Sequence, residues 1–314
     1  MQCRSDRFIS QDNTVAPNSL LPRDEYIEQE YFFRIYRERL LENTPSQEIL
    51  KTVHEEILAT TSLPMAIDIL HAEILHSGRI GLAMQRLSHY FTPFQTFVID
   101  RAEDDVARFE QMVGLEIMER EAKYRTGNWS RQGLFIYQFE CLARNRLGYH
   151  DGLTAIANDP AYDERWKKWI LSLRSQLGAY ELSELIFRAS EHYRALRHSR
   201  ETQNANEAGS ASGQVSAAAD SEPAFFGVQD GRIAKANIGR DPLYFFAALQ
   251  RQLSYPEVPL SKKVYSETLS PILEARLVKI EQRLKIVEME QKGGIDLTKF
   301  YKKEDGSVPE DFSE

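Results

Sequence analysis

Apolar positions step along this chain by threes and fours from Ile27 to Tyr193, a spacing that predicts helix after helix. The longest stripe passes through Phe94, Val98, Ala102, Val106, Phe109, Val113, Ile117 and Tyr124. Thr92 suits the N-cap of this helix, Pro93 its first position and Gln95 the capping-box partner. No Pro or Gly lies between Phe94 and Val113, so the reading is one helix over about 92–125. At ~1.5 Å per residue it is roughly 50 Å long, enough to cross a domain.

Shorter stripes flank it. Helices are expected at about 24–42, 47–59, 64–76 and 79–91, then at about 130–147, 161–176 and 179–197. The 64–76 helix carries Met65, Ile67, Ile69, Leu70, Ile74 and Leu75. Residues 151–158 support a short helix at best. The breaks are ordinary turn chemistry: Thr44-Pro45-Ser46, Ser77-Gly78, Gly127-Asn128, Gly148 and Asn158-Asp159-Pro160. Few β-runs and short connections give an all-α fold, an irregular multi-helix bundle built along the 92–125 helix. The irregular spacing of the breaks argues against a solenoid with repeats of about 34 or 40 residues.

The periodicity fails at both ends of this domain, taken as 22–198. Residues 1–21 are polar and aperiodic, as in a disordered tail. Residues 199–223, SRETQNANEAGSASGQVSAAADSEP, hold Val215 as their single large aliphatic and read as a flexible linker. The linker would tether a C-terminal segment, 224–314. There Asp230-Gly231 sits between short apolar runs, a hairpin signal. Helices follow at about 241–253 and 267–292, then a polar tail. In the last helix Leu273, Leu277, Ile280, Leu284 and Val287 form a two-heptad coiled-coil-like seam. Such a seam is too short for an isolated dimer, so it is expected to dock on a protein partner or on the chain's own helical domain.

Charge narrows the function. Against 47 acidic side chains stand 39 basic ones, a formal charge of −8 with no concentrated basic stripe, which disfavours nucleic acid as a partner. Cys3 and Cys141 cannot build a disulfide framework or a cysteine zinc site. No apolar run approaches the ~20 residues of a membrane span, and the first residues lack the apolar core of a signal peptide. A cytoplasmic protein away from membranes is the expectation.

Two clusters carry candidate chemistry. In IDILHAEILH, Glu73 and His76 form an E-x-x-H pair with His71 nearby, the spacing that places metal ligands on one helix face. The metal would be iron or another divalent ion. A di-iron site takes a second E-x-x-H, which the chain lacks, so helix-surface charge pairing also accounts for these residues and no cofactor is expected. The second cluster is Glu140, Arg144, Asn145 and His150, where a guanidinium fork beside a histidine suits an anionic ligand. An ion pair and a helix cap account for the same residues structurally. The acid run Glu103-Asp104-Asp105 reads as a solvated face. No P-loop, G-x-G-x-x-G, G-x-S-x-G, H-E-x-x-H or C-x-x-C motif occurs. The reading is a non-catalytic helical scaffold or protein-interaction protein. The alternative is a ligand- or metal-binding enzyme with its site inside the helical domain.

Overall fold

The computed structural model describes residues 20–104, 109–208 and 223–260. The described residues form helices α1 (Arg23–Leu41), α2 (Ser46–Glu56), α3 (Leu63–Ser77), α4 (Gly81–Arg86), α5 (Pro93–Ala102), α6 (Gln111–Thr126) and α7 (Arg131–Asn145). They continue with α8 (Tyr149–Ala157), α9 (Glu164–Gln176), α10 (Leu182–Arg188), α11 (Glu191–Ala208), α12 (Val228–Ala236) and α13 (Pro242–Leu253). No strand occurs among them, and the fold is all-α. Local signals start and stop these helices as expected. Thr92 and Gln95 close a reciprocal capping box at 3.2 and 3.1 Å, and Gly78 ends α3 at φ 74°.

The single 92–125 rod is not formed: its residues are shared between α5 and α6. The pattern persists, because Phe94, Phe109 and Ile117 are all buried. What breaks the rod is tertiary. Glu103 reaches across to the start of α4, its carboxylate accepting from the Ile80 N–H at 2.6 Å and the Gly81 N–H at 3.0 Å. Gly114 meanwhile lies against α5, where a Cβ would come within 3.3 Å of the Phe109 ring and 3.4 Å of Ala102. α6 therefore packs on α5 instead of prolonging it. α6 also lies along α1: Arg23 Nε donates to the Thr126 carbonyl at 2.8 Å, and Arg37 pairs with Glu119, also at 2.8 Å. The N-terminus of α1 thus meets the C-terminus of α6, and the two run in opposite directions.

At this junction a charge is fully buried. The Arg125 guanidinium of α6 donates to Glu121 Oε1 (2.8 Å) and to Asp159, which follows α8, with both partners buried. Gln138 of α7 donates to the same two carboxylates at 2.8 and 3.1 Å, and the Tyr162 hydroxyl donates to Gln138 at 2.8 Å. The Tyr26 ring of α1 covers the guanidinium at 5.6 Å. Burial pushes the Glu121 carboxyl above its ordinary range, against the pull of Arg125. Although burial opposes its charge, Asp159 and Glu121 keep Arg125 protonated.

The chain after α11 returns to the same core. Phe225 and Phe226 enter a cluster of rings with Trp166, Trp169 and Phe135, centroids 5.1 to 6.4 Å apart. The Phe225 N–H donates to the Ala189 carbonyl and the Glu191 N–H to the Phe226 carbonyl, at 3.1 and 3.0 Å. That pairing takes the backbone out of register at Ser190, so the helix expected over 179–197 divides into α10 and α11. α11 itself runs to Ala208, into the expected linker, and the linker positions 209–222 lie outside the described residues.

The expected hairpin is also replaced by a helix, α12. Asp230 accepts from the Gly227 N–H at 3.0 Å and so caps the first turn. Gly231 permits close contact, since a Cβ there would fall 2.2 Å from Ser190 Oγ. The dipeptide that signals a turn locally serves here as a cap and a contact point. α13 follows as expected, with Phe246 facing Phe139 of α7 at 6.4 Å. Residues 223–260, read from sequence as part of a tethered segment, are part of the one core; the expected 267–292 helix and the tails at 1–19 and 261–314 lie outside the described residues.

Two outcomes are expected. Arg125→Met leaves two buried carboxylates without a counter-charge and costs about 3–5 kcal/mol in urea unfolding at pH 7. Without the guanidinium the native carboxyls bind protons more tightly than the unfolded ones, so stability falls as pH rises. The deficit therefore shrinks when the same titrations are run at decreasing pH. A chain ending at residue 199 lacks Phe225, Phe226 and α13 and loses its cooperative thermal transition, read by near-ultraviolet circular dichroism.

Candidate functional site

The Glu140 cluster is occupied by the chain itself. Glu140 Oε1 accepts from Arg144 of the next turn at 3.0 Å, and Oε2 accepts from the Tyr255 hydroxyl at 2.8 Å. Asn145 Nδ2 donates to the Pro259 carbonyl at 3.0 Å. Arg120 and Tyr124 of α6 hold the same passage, donating to the carbonyls of Glu257 (2.6 Å) and Leu253 (3.1 Å). These side chains form a clamp on residues 253–259. His150 is not among them: it lies at the start of α8, against Arg174 of α9. The structure thus brings Glu140, Arg144 and Asn145 together and leaves His150 elsewhere. Cys141, on the same helix, is buried, and burial pushes its thiol well above the ordinary range, the state of an inert thiol.

The E-x-x-H residues diverge as well. Glu73 is buried and accepts from Arg86 of α4 at 2.9 Å, while His76 is exposed and His71 half-buried. The earlier acid, Asp68, faces His54 of α2 at 3.4 Å. Among the described residues no three His, Cys, Asp or Glu side chains are grouped as a metal would need. Residues three apart on a helix share a face only roughly, and here Glu73 lies on the inner edge of α3 with His76 outside.

The side of α3 that faces outward is the unusual one. Ile67, Leu70 and Ile74 are buried, yet the opposite face is apolar too. Met65 is 63% exposed, Ile69 38% and Leu75 60%, and Ala72 is exposed between them. Positions 65, 69, 72 and 76 form one stripe at helical spacing, with Leu75 and Asp68 along its edge. A surface helix ordinarily sets polar residues there. The signal was legible in the 64–76 stretch, whose apolar residues exceed what one face can hold.

Other site-forming residues left no local signal. Tyr255 acts across 115 positions of sequence on Glu140, and Glu103 caps a helix that begins 22 positions before it. Tyr255→Phe removes a buried hydrogen bond to a carboxylate and is expected to cost about 1.5–3 kcal/mol of stability. The check is urea unfolding of the two proteins side by side.

No helix of the described residues is long and apolar enough to cross a membrane. Compared with protein-family models, characterised proteins and solved structures, the chain finds no match.

Proposed function

We propose that the protein is a non-catalytic helical scaffold and that its recognition surface is the outward face of α3. The observation that carries this reading is the row Met65, Ile69, Ala72 and Leu75, an apolar stripe that the described residues leave exposed. Exposed apolar patches rimmed by polar groups mark interaction sites. A stripe of this form, about two and a half turns long, fits the apolar face of an amphipathic helix carried by a protein partner. His76 ends the stripe, Asp68 lies along its edge and His71 is the polar group beyond it. Support comes also from the fate of the other candidate side chains: Glu140 is engaged by Arg144 and Tyr255, and Asn145 by the Pro259 carbonyl. The seam at 267–292, a sequence expectation, would give the protein a second helical contact point and so the character of a connector.

A photoreactive phenylalanine analogue at position 65 tests the reading in cells. It is expected to give a discrete adduct with one helical partner, lost when Ile69→Glu is added. Since the face is exposed, Ile69→Glu should change stability by no more than about 0.5 kcal/mol. Adducts that persist unchanged in Ile69→Glu, or none beyond those of a control site at Lys51, overturn it. An adduct between two copies of the chain, with a dimer that dissociates in Ile69→Glu, replaces the foreign partner by self-association.

A further inference from the structure

A polar cavity of about 260 Å³ lies beside the end of α5 and the start of α6. Its walls include Tyr36 of α1, Ser46 at the start of α2, Arg79, Glu103 and Gln111 at the start of α6. Had the rod continued past Ala102, the same residues would have been drawn into a solvated helix face. Places where a strong local pattern is overridden are where function is first sought.

Four features of the wall agree. Tyr36 is fully buried, stacked on Phe32 at 5.7 Å, and its hydroxyl makes no well-formed hydrogen bond, with Ser46 the polar side chain beside it. A buried hydroxyl left in that state is costly, and a phenylalanine would fill the same space without the cost. Burial pushes this phenol up to about 12, so it remains a donor at neutral pH. Ser46 and Gln111 open α2 and α6, and neither N-cap residue, Pro45 or Glu110, caps its helix through a side chain, so two positive helix ends border the cavity. Arg79 is exposed and makes no ion pair at salt-bridge distance among the described residues, although it draws Glu103 toward its charged form. Glu103 is the carboxylate of the wall, and both its oxygens already accept N–H groups of Ile80 and Gly81. The groups with unused capacity are therefore donors.

We infer that this cavity binds a small oxyanion-bearing molecule, its acid group received by Tyr36, Ser46, Arg79 and the first turns of α2 and α6. A volume of this order suits a small anion or a compact metabolite. Phosphoryl and carboxyl groups share this chemistry, since both accept from forked and hydroxyl donors. The site is independent of the α3 surface, so either assignment survives loss of the other.

The test is calorimetric titration of the full-length protein with inorganic phosphate and, separately, with malonate. Saturable binding of at least one is expected, together with a rise in unfolding temperature at the same concentrations. Tyr36→Phe deletes one oxygen without changing the ring, and Arg79→Gln alters an exposed side chain, so both should fold as the parent does. Each is expected to weaken binding tenfold or more. Phosphate preferred over malonate assigns a phosphoryl ligand, and the reverse a carboxylate. No saturable binding of either anion overturns the inference. So does binding that Tyr36→Phe and Arg79→Gln leave unchanged, which would mark an adventitious ion only.

Discussion

The fold depends on one buried charge. Arg125 has no exposed side-chain surface, and its two carboxylate partners have none either. A guanidinium in that setting is tolerable only if its counter-ions are held in place, which fixes the elements that carry them. Glu121 comes from the same helix, Asp159 from the turn after α8, Gln138 from α7 and the covering Tyr26 ring from α1. One ion group therefore sets the mutual position of three helices and a turn. It is not fully satisfied: Arg125 Nε and Nη1 and Glu121 Oε2 have no hydrogen-bond partner among the described residues. The knot specifies geometry through charge, and the surrounding apolar side chains supply the burial that makes the charge decisive.

Around it the remaining layers close in an order unlike that of the chain. Residues 223–260 return over α6, α7 and α9, so the last described helix packs on the middle of the sequence. Phe225 and Phe226 complete an aromatic cluster whose other members lie at least 56 positions earlier, as Trp169 shows. Their backbone also ends one helix and begins another at Ser190. The clamp from Arg120, Tyr124, Glu140 and Asn145 onto residues 253–259 finishes the closure. Side chains with the look of a binding site, Glu140, Arg144 and Asn145, are thus bound to groups of the protein itself. Among the described residues, the apolar stripe on α3 and the polar cavity at the α5–α6 junction lie outside this clamp.

The hydrophobic pattern alone determined the fold class and most helix positions. Those are local properties, set by a period of about 3.6 and by caps such as Thr92, Ser130 and Asp163 that act within a turn. The exposed face of α3 was also legible, as an excess of apolar residues over one face. Only the tertiary structure decided where a continuous period is broken. A stripe reads the same whether it lies on one rod or on two helices folded together, and the contacts that chose between them, Glu103 with Ile80 and Gly114 with Ala102, join distant stretches. The same holds for Asp230-Gly231, a turn by local preference and a helix once Ser190 packs against it. Glu140 keeps Arg144, the i,i+4 partner that spacing offered, but its bond to Tyr255 and that of Glu73 to Arg86 join side chains that only folding selects. Sequence spacing carries no information about that choice, because the free energy that makes it arises only when water is excluded by residues far along the chain.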